Sequence, residues 1–295
     1  MPFDAGSATI RIWAGGSSRS DWKVPRAAPY GAVHAKQPQF CRRRSQPDRA
    51  DGHCHSGLCW TQPCTETKAK RPVVVELYTS QGCSSCPPAD AFLGQLASRK
   101  DVLAISLPVT YWDMLGWKDT LASEANTRRQ KAYDRVLGRG GIYTPQMIVE
   151  GVSDVIGSRE QVAESVIAAR AADMQTVPVD VDATRRQVHI TIGPAADHSE
   201  HGATIWMFRI LPKVTVSIGD GENSGRTINY RNVVREVRAI GMWKGPPVIL
   251  DLPRSEEAAP HEGIAVVVQE GGYGRIVGAA LFERPVSYLV RQPDG

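Results

Sequence analysis

Two cysteines with two residues between them, Cys83-Ser84-Ser85-Cys86, stand where a buried strand hands over to a helix. Val73-Val74-Val75-Glu76-Leu77-Tyr78 is a short apolar, β-branched run of the kind that forms a buried strand. Thr79-Ser80-Gln81-Gly82 is turn-prone, and Pro87-Pro88 after the second cysteine opens a helical pattern. In that pattern Leu93, Leu96 and Ala97 lie near one face, with Ala91 and Phe92 beside it. Backbone N–H groups at a helix start, with the positive end of the helix dipole, stabilise a thiolate and lower a cysteine's pKa. A two-residue spacer lets the second thiol return to attack a mixed disulfide on the first. Cys83 is then the candidate nucleophile and Cys86 the resolving thiol. The same spacing also serves a static disulfide or a metal pair. Structural zinc needs four ligands, and no second pair of that spacing lies downstream to supply them.

The neighbouring segments narrow the fold. Asp101 to Val109 reads as a second buried strand, parallel to the first. Thr110 to Asp119 packs aromatics and acids into a loop at the carboxyl end of that strand, a place where open α/β sheets carry function. Tyr111 and Trp112 are its candidate substrate wall, while Trp117 reads as core packing. Helical texture resumes near Ser123 and stops before Gly138. Thr144-Pro145 then opens the apolar strand Gln146–Val149, a position where proline's missing N–H is tolerated. A returning strand ends near Ile156, and Ser158 is placed to cap a last helix. Strand, CxxC helix, strand, helix, Thr-Pro strand, strand, helix is the order of a thioredoxin-like fold. In such folds a cis-proline faces the cysteines and the residue before it pairs with substrate. Thr144 and Pro145 are therefore candidate substrate-binding residues, with the Thr144–Pro145 bond expected cis and within van der Waals range of the cysteine pair. Cys83 is expected to be the more exposed sulfur.

Beyond about Thr176 the pattern is all strand, as in Val177–Asp182 and Gln187–Ile192, which alternate with period 2. The polar stretch from Gly221 to Gly245, with Glu222, Asn223, Arg226, Asn229, Tyr230 and Asn232, reads as a structural network tying strands together. The expected organisation is residues 1–70 as a poorly ordered or spurious extension, 71–175 as the CxxC domain, and 176–290 as a β-rich part.

Residues 1–70 carry eleven Lys/Arg against five Asp/Glu, a surplus of six in a chain of net charge +4, so the remainder is near −2. The body of the protein therefore lacks the basic surplus of a nucleic-acid binder. Four of the six cysteines, Cys41, Cys54, Cys59 and Cys64, lie in that first stretch. With His53 and His55 they could meet a soft metal, but their spacing fits no closed site, and a disordered tail is the favoured reading. No run of about 18 apolar residues marks a membrane span. The first residues lack the basic-then-apolar pattern of a secretory signal.

The runs VELYTSQGCSSCPPAD, YWDMLGWKDTLAS, YTPQMIVEG and GENSGRTINYRNVV, in that order, resemble the bacterial domain-of-unknown-function 1223 family over about residues 71–285. The resemblance implies a thioredoxin-like α/β fold with a β-rich C-terminal extension or subdomain, and a periplasmic or secreted location, with the cytoplasm as the other possibility. Relatives often carry a His ahead of Tyr-Trp-Asp, where this chain has Leu107-Pro108-Val109-Thr110, so a His-assisted mechanism is not implied. The expected function is thiol-disulfide exchange with protein or small-molecule thiols, catalysed by Cys83 and Cys86 without a cofactor. The alternative is a non-catalytic binding protein whose cysteines form a structural disulfide or a Cu/Zn clasp.

Overall fold

The structure, a computed structural model, describes residues 9–12, 71–184, 186–195, 202–254 and 262–283. In chain order the strands and helices are β1 (Thr9–Ile12), β2 (Val73–Thr79), α1 (Pro87–Leu96), β3 (Val102–Pro108), α2 (Glu124–Leu137), β4 (Gln146–Val149) and β5 (Ser153–Ile156). Next come α3 (Glu160–Ala172), β6 (Val179–Ala183), β7 (Gln187–Ile192), β8 (Ala203–Ser217), β9 (Thr227–Trp243), β10 (Val248–Pro253), β11 (Gly263–Glu270) and β12 (Ile276–Phe282).

β2 and β3 are buried along their whole length, as continuous apolar runs require when both faces of a sheet are covered. They pair in parallel, and β4 and then β5 add antiparallel to the other edge of β2. The result is the order β3-β2-β4-β5, one half of an eight-stranded mixed sheet running β12-β11-β8-β9-β3-β2-β4-β5. A single parallel bridge, Ser106 to Val233, joins β3 to β9. The C-terminal strands thus continue the sheet that the CxxC segment begins. A second sheet, β1-β10-β7-β6, buries Val188, Ile190 and Ile192 against Ile205, Val266 and Val268 of the first.

One face of the large sheet packs on α1 and α3 through Phe92, Leu93, Leu96, Ala163 and Ile167. The opposite face forms one core from Tyr78, Leu103, Ile105 and Ile148 through Phe208, Val234 and Val267, with Tyr133 from α2. Ser123 caps α2, its hydroxyl accepting the Asn126 N–H at 3.2 Å. Ser158 does not cap α3. Arg159 holds the cap position without a side-chain bond, since the helix begins one residue later than the Ser signal suggests.

Two features were not anticipated from the sequence. The stretch that reads as a polar network is largely one seventeen-residue strand, β9, whose polar side chains fall mostly on its solvent side. Of the first 70 residues, Thr9–Ile12 pair antiparallel with β10 as an edge strand. The other residues of that stretch, with Cys41, Cys54, Cys59 and Cys64, lie outside the described residues. Among the described residues no helix is long and apolar enough to cross a membrane.

Candidate functional site

Cys86 is the cap residue of α1, with Pro87 and Pro88 at the next two positions, where a missing N–H costs least. The Cys83 N–H donates to the Ser80 carbonyl and the Cys86 N–H to the Cys83 carbonyl, both at 3.2 Å, so the loop coils before the helix begins. The two cysteines are joined as a disulfide with their Cα atoms 5.4 Å apart. Ser84 and Ser85 are exposed above it, and the Ser85 hydroxyl lies 3.4 Å from Cys83 Sγ.

Both cysteines are 0% exposed, which corrects the expectation that Cys83 faces solvent. The loop that carries them is held from more than a hundred residues downstream. The β8–β9 turn folds over the loop, and fully buried Asn223 donates from Nδ2 to the carbonyls of both Gln81 and Cys83 at 2.9 Å. Glu222 accepts the Ser84 N–H at 3.3 Å. The polar cluster expected to tie strands is therefore also a grip on the cysteine loop. Asn232 and Asn229 do tie strands, through the Ala104 carbonyl and the Thr215 hydroxyl.

The loop from Thr110 to Asp119 supports the same turn from the other side. Asp119 accepts the Gln81 N–H at 2.8 Å, and the Trp117 indole donates to Gln81 Oε1 at 2.8 Å. Trp117 also packs on Gly219 and Gly221, so it is the packing residue expected of it. Gly82 packs closely on Trp112, since a Cβ there would sit 3.2 Å from Trp112 Cβ. Trp112 donates in turn to the Thr144 hydroxyl at 2.8 Å.

The Thr144–Pro145 bond is cis, as expected. Gly157 packs between Pro145 and Ala89 in the first turn of α1, so the proline lies beside the helix that Cys86 opens. Cys83, Cys86, Trp112, Thr144 and Pro145 thus belong to one neighbourhood. Tyr111 is half-buried. Its hydroxyl lies close to Gln130, Thr144 and Trp112 without a hydrogen bond to any, and burial pushes its pKa up. Exposed large apolar side chains on this loop are Met114, 83% accessible, and Leu115 beside it.

Sequence reasoning missed two carboxyls beneath the loop. Asp90, in the first turn of α1, is 2% exposed, and neither of its oxygens accepts a hydrogen bond. The Thr79 hydroxyl lies near it without hydrogen-bond geometry. Burial drives its pKa well above the usual carboxylate range, with Asp119 adding to the rise. Asp119 is itself raised by burial, against the pull of its three backbone N–H donors. The buried Tyr230 hydroxyl is pushed up as well, first by burial and then by these two acids. Among the described residues no group of three His, Cys, Asp or Glu converges as a metal site would require.

Fold and site together define a mixed α/β protein whose central strand and first helix carry a buried disulfide closed across two residues, roofed by a distant hairpin. The chain belongs to the family described as "Protein of unknown function (DUF1223)", whose model matches residues 74–269. The crystal structure of protein AGR_C_4864 from Agrobacterium tumefaciens is 35% identical, covering 76% of this chain and 97% of that one, with a TM-score of 0.63. HBP35 of Porphyromonas gingivalis shares the fold at 13% identity, covering 77% of this chain and 80% of that one, with a TM-score of 0.54. A search of the curated proteins found no match.

Proposed function

We propose that the protein is a thiol-disulfide oxidoreductase on a thioredoxin-like scaffold, with Cys83 and Cys86 as its redox pair. The observation that carries this reading is the disulfide itself, closed across two residues at a strand-to-helix junction. A partner thiolate attacks Cys83 Sγ, forming a mixed disulfide and releasing Cys86 as thiolate. A second partner thiolate then attacks the partner's sulfur and releases Cys83. The partner is oxidised by two electrons, the pair is reduced by two, and the protons of the partner's thiols end on the two cysteines or in solvent. The reverse sequence reduces a partner disulfide. Trp112, Tyr111, Thr144 and Pro145 are the substrate-side surface in this reading, and no cofactor takes part. The working compartment is the periplasm or the exterior, where such a disulfide persists.

A second reading rests on the burial of both sulfurs: a static disulfide in a binding protein. Insulin reduction and oxidative refolding of a reduced test protein separate the two. The enzyme reading requires activity in at least one assay and its loss in Cys83→Ser. Activity that survives Cys83→Ser, or none in the parent, establishes the static disulfide.

A further inference from the structure

Beside the disulfide runs a cleft of about 750 Å³ between the outer face of α1 and the β8–β9 ribbon. It begins at Pro87, next to Cys86, and tracks Ala91 and Gly94 along the helix to Ser98 just past its end. These positions recur on one helical face, and their small side chains leave the space open. The facing wall carries Lys213, Arg226 and Arg231. Among the described residues none of these three makes an ion pair or donates a side-chain hydrogen bond. Lys213 and Arg231 are register partners, directly opposite on neighbouring strands. Like charges in that relation destabilise a ribbon, and no acid here offsets them. The one carboxyl lining the cleft is Asp90, fully buried with both oxygens unpartnered.

We propose that this cleft binds an extended acidic segment of polypeptide, next to the cysteine that a partner presents to Cys83 and Cys86. This deepens the oxidoreductase reading and rests on it. Lys213 and Arg231 stand side by side, and Arg226 lies apart from them along the chain. Arg226 and Arg231 are five residues apart in extended chain, roughly 16 Å at 3.3 Å per residue. The helix face from Pro87 to Ser98 has about the same length. A single compact anion cannot meet both ends, whereas about five extended residues with repeated carboxylates can. Aromatic side chains for stacking bases are absent from the lining, which favours peptide over single-stranded nucleic acid. Asp90 does not oppose an acidic ligand, because its raised pKa favours the neutral, protonated form.

The test is fluorescence anisotropy with a labelled, cysteine-free Glu/Asp/Gly octapeptide and the full-length protein. The acidic peptide should bind and weaken with added salt, while a Lys/Gly peptide of equal length should not bind. The triple variant Lys213→Gln, Arg226→Gln, Arg231→Gln should bind about tenfold or more weakly, as three lost charge pairs imply. Lys213→Arg with Arg226→Lys and Arg231→Lys should retain binding, with melting temperatures showing that both variants fold. No binding by the parent, equal binding by the Gln variant, or an oligonucleotide bound as tightly as the peptide overturns the proposal. Binding without thiol exchange in any assay refutes the redox reading alone. Exchange in the parent without peptide binding refutes the cleft alone.

Discussion

Arg129 of α2 meets Glu76 of β2 in the core, its Nε donating to one carboxylate oxygen at 2.7 Å and its Nη2 to the other at 2.9 Å. The two side chains are 2% and 1% exposed. The guanidinium also lies 4.9 to 5.5 Å from the ring centres of Trp206, Phe208, Tyr133 and Tyr273. Tyr78 and Tyr133 donate to Glu76, and Gln269 accepts from Arg129. Strands from both halves of the sheet and a helix therefore share one buried charge pair.

Breaking that pair strands a charge in a medium that cannot solvate it. Arg129→Met should cost about 3–5 kcal/mol in urea unfolding, because Glu76 is left unpaired. The double variant Arg129→Met, Glu76→Gln should recover most of that loss. Equal destabilisation of the single and double variants would refute the charge-pair account.

Asn223→Ala removes both bonds that hold the cysteine loop, at about 0.5–1.5 kcal/mol each. The disulfide should then be reduced faster by dithiothreitol at unchanged reagent concentration. A reduction rate equal to the parent's would mean that the hairpin does not govern access to the sulfurs.

The folded protein holds Asp90 and Asp119 protonated at higher pH than the unfolded chain does. The unfolded chain therefore binds fewer protons once pH exceeds the ordinary carboxylate range near 3.9. Stability should fall as pH rises from about 4 through the raised values. Asp90→Asn should flatten that decline and be the more stable protein by about 1–3 kcal/mol at neutral pH, where the parent must bury a charge or hold a proton. Urea titrations at acid and neutral pH check this; a decline as steep in Asp90→Asn as in the parent would remove Asp90 from the account.

Gly151 has φ +72°, and a Cβ there would collide with the Gly274 carbonyl and press on Gln269 Nε2. Gly151→Ala should therefore cost about 2–5 kcal/mol, combining left-handed strain with overpacking. Differential scanning calorimetry measures it, and an unshifted melting temperature would contradict the packing described.

Local chemistry makes much of this legible in the chain itself. The buried strands Val73–Tyr78 and Asp101–Val109 announce themselves by unbroken apolar runs, and Thr144-Pro145 by a proline placed where a strand begins. Burial of Cys83 is not legible, because the loop is gripped by Glu222 and Asn223, hydrogen bonds of long sequence separation with no periodic trace. β9 reads as a polar network because its outward side chains are charged or amide-bearing, which hides the inward Tyr230, Val233 and Val234. Asp90 looks like an ordinary first-turn acid favoured by the helix dipole. Groups distant in sequence, Asp119 and Tyr230 among them, turn that position into an interior.

The hairpin of β8 and β9 hydrogen-bonds into the sheet through Ser106 and Val233 and, at its tip, closes over the cysteine loop. Residues 71–175 are for that reason not a portable cassette. Cut away from the C-terminal strands, they would expose the bare edge of β3, and the disulfide would lose its roof in the same stroke. The chemical environment of Cys83 is thus inherited from the whole sheet, and grafting the CxxC segment into another scaffold would carry over its sulfurs but not their setting.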